Sequence, residues 1–339
     1  MNIIEAYKPV KSDSFTLVAV GDVLCHKALY DACHKDDYSK ILSEYNLDKN
    51  NLNFYNQESI IGGQGFKSFS KIETLTNQAH FAAENTLADA MLNAGFNMVS
   101  LANNHVLDID EKGVKNSIKY WKTKNVVYAG QYLSEKERFT TNIYEKNNIK
   151  YAFFAYTQKF NTKQNNIKHK FYRNDYDKNL VKRDIESVRD KVDVIIVSIH
   201  WGSEHTFTPN QEQRETAKYL AELGVDIVLG HHSHCVQSVE MIGKTFVAYS
   251  LGNFIACQNT TAISTRIGLE LTIKVIKTDN VITLKPCGRL VYLHSSPTNK
   301  EFKLKYLDTV KTNVLPNKDV LLKTYWDSVI RHYKIPYFG

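Results

Sequence analysis

The strongest constraint on the fold is a recurring unit, an apolar β-rich run that halts on a polar residue and gives way to a helix-like segment. "FTLVAVGD" (15–22), "FNMVSLANN" (96–104), "VDVIIVSIHWG" (192–202) and "VDIVLGHHSH" (225–234) are such runs. Around them, "TLADAMLNAG" (86–95) sets Leu87, Met91 and Ala94 on one helical face and stops at Gly95. "EKGVKNSIKYWKTKN" (111–125) buries Val114, Ile118 and Trp121 in the same way. "KNLVKRDIESVRDK" (178–191) and "NQEQRETAKYLAELG" (210–224) complete the series, the second with an Asn cap and a Gly stop. "VVYAG" and "IKYAFFAYTQ" (149–158) add strands. Strands that alternate with helices predict an α/β core whose strands run parallel.

From about residue 245 the pattern changes to strands only: "TFVAYSLGNF", "GLELTIKVI" and "VITLKPCGRLVYL", with "KTDNV" as a turn. These strands form either a second sheet or an antiparallel extension of the first. Beyond 297 the chain is Lys-rich with a helix expected over 317–332, so the division expected is a main domain over 14–297 and a helical extension over 298–339.

The bulk properties narrow the partners. With 339 residues the chain can bury one large core. The net charge of +7 is mild, and the Lys and Arg of 159–191 and of the C-terminus are interspersed with acids. Such runs are solvated faces, so a nucleic-acid partner is not expected, whereas a basic rim suits an anionic small-molecule or polymer substrate. The five cysteines (Cys25, Cys33, Cys235, Cys257, Cys287) show no CxxC pair, which points to reduced thiols. The N-terminus lacks a basic start followed by an apolar core, and no apolar run reaches the roughly 18–20 residues of a membrane span. A cytoplasmic location without a membrane span is the expectation.

The chemistry collects where strands end. One run stops at Asp22 with His26 four residues on, another at Asn104 and His105, a third at His200, and the last at His231, His232 and His234. In open α/β sheets the ligand crevice lies beyond the carboxyl ends of the strands, so these residues converge there. Imidazoles mixed with carboxylate and amide oxygens, without paired thiolates, suit a catalytic metal site better than a structural zinc. The donors exceed what one tetrahedral ion needs. Two divalent ions (Mn, Fe or Zn) about 3.5–4 Å apart, sharing a carboxylate, would use them all. The remaining residues read more plainly: Asn103 as a turn former, His231 as a neighbour that does not ligate, Cys25 as a buried filler and Trp201 as rim packing.

The motifs "VAVGDVLCH", "FYNQESIIGG", "AGFNMVSLANNHVLD", "VVYAG", "VSIHWGSEH", "LGHHSHCVQ" and "AYSLGNF" occur in an order and spacing that resemble the bacterial capsule-synthesis CapA (poly-γ-glutamate biosynthesis) family. That family's fold is related to the calcineurin-like metallophosphoesterases. The resemblance covers roughly residues 14–295 and implies an α/β/β/α sandwich of two packed sheets flanked by helices. It implies Asp22, His26 and His234 on a first metal, Asn104, His200 and His232 on a second, and Glu58 as the bridging carboxylate. His105 would be the general acid that faces substrate, with Asp108 orienting it and raising its pKa. His205, where relatives carry an aromatic, would contact substrate, and Asn253 of "SLGNF" would contact substrate, hydrogen-bond a metal ligand from behind, or serve only a strand-end turn.

Three departures from the phosphoesterase pattern stand out. Three residues rather than one separate Asp22 from His26, a Glu replaces the bridging Asp, and the acid after His105 is displaced to Asp108. The implied function is a dinuclear metal-dependent hydrolase acting on a phosphoester or an amide. The alternative is a metal-binding accessory protein of capsule or exopolymer synthesis that does not catalyse.

Overall fold

A computed structural model describes residues 12–33, 38–62, 69–72, 79–159, 170–258, 262–296 and 298–338. The side chains of 69–72, 79–80 and 110 are excepted. Most of the basic insert after 159, together with His34, His169 and Pro297, therefore lies outside the described residues.

The chain opens on β1 (Ser12–Leu24), followed by helix α1 (Lys27–Cys33) and β2 (Leu52–Gln57). A small sheet of β3 (Ile60–Ile61), β4 (Phe69–Ile72) and β5 (Ala79–Ala83) precedes α2 (Asn85–Asn93). Then come β6 (Met98–Ser100), α3 (Asp110–Lys122), β7 (Val127–Ala129) and the single turn α4 (Glu135–Arg138). β1, β2, β6 and β7 pair in parallel, as the alternation predicts.

The middle of the chain builds a second sheet from β8 (Ile143–Lys146), β9 (Ile149–Thr157), β10 (Val194–His200), β11 (Ile227–His231), β12 (Val239–Ile242) and β13 (Thr245–Ala248), in the order β12-β13-β11-β10-β9-β8. Its crossovers are α5 (Lys178–Glu186) and α6 (Gln211–Glu222). Asn210 caps α6 as expected, accepting from Gln213 N–H at 2.9 Å while its own N–H donates to Gln213 Oε1 at 3.0 Å. α5 ends earlier than its periodicity suggests. Arg189 turns away to donate to the Gly224, Val192 and Asp193 carbonyls and to Asp226, which fixes the chain in a short turn there.

"TFVAYSLGNF" is not one strand. β13 belongs to the second sheet, whereas β14 (Asn253–Ala256) pairs in parallel with β1 of the first. The crossing at 249–252 closes on Gly252 at φ +66°, and its carbonyl accepts from Asp22 N–H at 2.9 Å. A Cβ on Gly21 would stand 1.8 Å from that carbonyl oxygen, so only glycine admits the approach.

β15 (Ile267–Thr278) then returns antiparallel to β1, followed by β16 (Val281–Ser295), β17 (Phe302–Tyr306) and α7 (Lys318–Val329). Of the two readings left open, the late strands thus extend the first sheet. Their turn holds Asp279 and Asn280 at positive φ, the pairing that twisted hairpins favour.

Strand periodicity creates two faces. Leu17, Ala19 and Ile196 meet Tyr151, Leu229 and Leu269 between the two sheets. Val20, Val23 and Val99 turn outward under Leu87, Met91 and Trp121 of α2 and α3. Ile195, Val197 and Val228 do the same under Val181, Ile185, Ala217 and Leu220 of α5 and α6. The architecture is the expected four layers, helix, sheet, sheet, helix. The C-terminal segment is no appendage, because β17 edges the first sheet and Tyr325, Val329 and Ile335 join the core between the sheets. Among the described residues, no helix is long and apolar enough to cross a membrane.

Candidate metal centre

Five strand ends deliver the site. Asp22 sits where the pairing of β1 with both β2 and β14 slips register, an irregularity that re-aims a side chain. Its Oδ1 accepts from Asn56 Nδ2 at 2.8 Å, and its Oδ2 accepts from His232 N–H at 3.3 Å. His231 Nδ1 and His234 Nδ1 lie 3.2 Å and 3.5 Å from the same carboxylate. Burial alone would raise the Asp22 pKa, but the adjoining His231 and His234 hold it well below the usual carboxylate range.

Glu58 follows directly on β2. β2 itself, "LNFYNQ", carries amides where a buried strand is ordinarily apolar. The amide nitrogens find partners within the protein. Asn53 Nδ2 donates to the Asp48 and Gly95 carbonyls, and Asn56 serves Asp22. Glu58 itself is fully buried, and neither carboxylate oxygen has a hydrogen-bond partner. Burial pushes its carboxyl up to about 8. Its Oε1 stands 3.4 Å from His200 Nε2 and 3.8 Å from His234 Nε2. A buried, unpartnered carboxylate ringed by imidazoles is costly unless a cation compensates it, so the residues fit a metal.

β6 ends early because Asn103 closes an Asx-turn. Its Oδ1 accepts from His105 N–H at 2.9 Å while its Nδ2 donates to the Gln57 carbonyl at 2.9 Å. That turn aims Asn104 and His105 at the other strand ends. Asn104 Oδ1 lies 2.9 Å from His200 Nε2, and Asn104 Nδ2 lies 3.2 Å from His105 Nε2. His105 Nδ1 is 2.7 Å from Asp108 Oδ2. Burial works to lower the His105 pKa, but Asp108 and then Glu58 outweigh it and raise it above the ordinary value.

His200 ends β10, and its pKa is driven well down, mainly by burial. His232 behaves alike, with its Nδ1 3.1 Å from His200 Nε2. Neutral imidazoles of this kind are the form that binds metal. His232, His234 and His205 all take left-handed backbone, at φ +88°, +56° and +58°. Such strain in non-glycine residues concentrates at functional sites.

Three donor groups emerge among the described residues, in each of which the ligand atoms lie within 4.8 Å of one another. They are Asp22, Glu58 and His234; Glu58, His200 and His232; and Glu204, His232 and His234. Glu58 is common to the first two, which is the arrangement a shared carboxylate between two ions requires.

Some expectations change, and two residues join the site that the sequence did not single out. His26 lies outside all three groups. Its Nδ1 is 3.0 Å from the Leu24 carbonyl and 3.2 Å from Cys257 N, and its ring packs edge-on against Phe81. Of the roles open to Asn253, substrate contact is not the one its buried side chain takes, and the contact with a candidate ligand is. Its Oδ1 is 2.9 Å from His234 Nδ1, and its Nδ2 donates to the Thr265 carbonyl. Trp201 is not at the rim, because its ring is fully buried and Nε1 donates to the Tyr249 carbonyl at 2.8 Å. Glu204 joins the donors although the sequence reading passed over it within "HWGSEH", and Asn56 was likewise missed as a support for Asp22. His205 is at the mouth, half exposed, its ring centroid 6.0 Å from that of His234. Cys25 is the buried filler expected.

Comparisons with known proteins follow the geometry. The chain is 28% identical over 269 residues to the capsule biosynthesis protein CapA of Bacillus anthracis, covering 76% of this chain and 64% of that one. It is 28% identical over 191 residues to the PGA biosynthesis protein CapA of Bacillus subtilis, covering 54% and 49%. The chain thus spans less than two thirds of either relative's length. Among solved structures, the NAD nucleotidase of Haemophilus influenzae aligns at TM-score 0.45 and 10% identity over 94% of this chain and 57% of that one. A 5′-nucleotidase of Candida albicans aligns at 0.44 and 10% over 83% and 53%. A likeness of that degree decides neither fold nor chemistry. The family model for bacterial capsule synthesis proteins (PGA_cap) matches residues 16–258, most of the chain, and the protein belongs to that family.

Proposed function

We propose that this capsule-synthesis protein is a hydrolase that uses two divalent ions, with a calcineurin-like metallophosphoesterase fold, acting on a phosphoester or amide bond of an anionic substrate. The observation that carries the reading is Glu58, whose two buried oxygens lack partners and which is shared between two donor groups. Asp22, Glu58 and His234 would hold one ion, and Glu58, His200, His232 and Asn104 the other. Bound there, divalent ions supply Lewis acidity and lower the pKa of water to near neutrality. The chain's own contribution is placement and proton transfer. Asn253 fixes the His234 ring and Asn56 fixes Asp22, so the donors need no rearrangement. Asp108 anchors His105 through Nδ1 and favours its protonated form, leaving Nε2 as the atom that passes a proton to the leaving group.

The second reading is a metal-binding accessory role without turnover, favoured by the relatives' names, which speak of biosynthesis rather than hydrolysis. A phosphodiester assay and a γ-glutamyl amide assay with added manganese separate the two. Metal-dependent turnover that falls about 10²–10⁴-fold in His105→Ala, with metal content unchanged, supports the hydrolase. Bound metal without turnover in either protein establishes the accessory role.

A further inference from the structure

Glu204 is the one carboxylate of the three donor groups that faces solvent. It lies on the turn after β10, its side chain 49% exposed, while Asp22 and Glu58 are fully buried. Its carboxylate reaches the same two imidazoles, His232 and His234, that the buried groups use. Among the described residues no lysine or arginine pairs with it, and its ion-pair neighbour is His205 at 4.0 Å.

The turn is braced rather than loose. His205 N–H donates to the Ser233 carbonyl at 2.7 Å, tying it to the histidine-rich turn. Gln237 Nε2 donates to the Thr206 carbonyl at 2.9 Å, and Gln213 Nε2 in turn holds Gln237 Oε1 at 2.9 Å. An acid without a lysine or arginine partner, held on such a frame beside two imidazoles, is placed to meet a cation they bind. The unpartnered Glu58 oxygens independently call for a cation beside the same two imidazoles, since Glu58 groups with His232 on one side and with His234 on the other.

We propose that Glu204 is a third carboxylate of the cation centre, closing its solvent side. This rests on the metal-centre reading above. Asp22 and Glu58 leave two positive charges on a pair of dications uncompensated, and Glu204 removes one of them. The consequence is selectivity. A less positive centre attracts a phosphate-like dianion more weakly and leaves an uncharged carbonyl unaffected, because only the former gains from the extra charge.

The test is calorimetric titration of the full chain with Mn²⁺, then of the loaded protein with inorganic phosphate, for the wild type, Glu204→Gln and Glu204→Asp. The side chain is exposed, so the variants should fold, and thermal unfolding checks that they do. The expected result for Glu204→Gln is a ~10-fold or greater loss of affinity for one of two Mn²⁺ equivalents. Phosphate should bind several-fold tighter to the loaded Glu204→Gln protein, and Glu204→Asp should recover part of both effects. Unchanged Mn²⁺ and phosphate isotherms in Glu204→Gln overturn the inference while leaving the metal centre standing. A wild type that takes up no Mn²⁺ overturns both.

Discussion

His105 Nδ1 lies 2.7 Å from Asp108 Oδ2, and both side chains are buried. The pair occupies one turn beyond β6, so a rigid strand carries the imidazole and its carboxylate anchor into the cluster together. Removing the carboxylate should lower the His105 pKa, since burial alone disfavours the charged ring. In Asp108→Asn the NMR titration midpoint of His105 should move to lower pH, and the alkaline limb of any activity profile should move with it. A midpoint that stays put removes Asp108 from the mechanism.

Glu58 makes a pH prediction of the opposite kind. Its carboxyl titrates near 8 in the folded protein against 4.5 for the free side chain, because burial opposes its charge. The folded state therefore holds this proton more tightly than the unfolded one, and the metal-free protein loses stability from this group as pH rises from about 4.5 to about 8. Glu58→Gln should flatten that part of the Tm profile and abolish any rise in Tm on adding Mn²⁺. Scanning calorimetry with and without metal reads both.

Asn253→Ala leaves the ligand list intact and tests support alone. With Oδ1 gone, the His234 ring loses its anchor. Metal affinity should fall about 10–100-fold while the stoichiometry stays the same.

A chain ending at residue 296 should not fold as a domain. It lacks β17 and leaves the surface covered by Tyr325, Val329 and Ile335 exposed to water. Expression of 1–296 should give aggregated protein, and limited proteolysis of the full chain should not release a stable 14–297 core.

Gly21→Ala puts a methyl group against the Gly252 carbonyl oxygen, and neither backbone segment can yield. Overpacking of this kind costs roughly 1–3 kcal/mol or more, and the Tm of a chain this size should drop by about 1–2 °C for each kcal/mol. Because Asp22 is the next residue, Mn²⁺ affinity should weaken as well.

The helices and most strands of both sheets were legible from periodicity, since apolar spacing reports which face a segment buries. The candidate donor types at the ends of "LVAVGD", "VIIVSIH" and "VLGHHSH" were equally plain, because several polar strand ends recur in one chain where a single one would pass for a turn cap. β2 was hidden, since its Asn53 and Asn56 are buried by hydrogen bonds to distant partners rather than by apolarity. Glu204 was missed for a related reason: an exposed carboxylate in a turn has no local signature.

Local sequence thus settled the elements and the kinds of donor, because both depend on neighbours a few residues apart. Which donor atoms come together, that His26 lies outside those groups, that Asn253 contacts His234, and that the C-terminal strands return to the first sheet were decided only by tertiary structure. Those relations join residues far apart in the chain, Cys257 N and His26 by 231 positions and Ser12 and Thr278 by still more, and only packing of the sheets sets such distances.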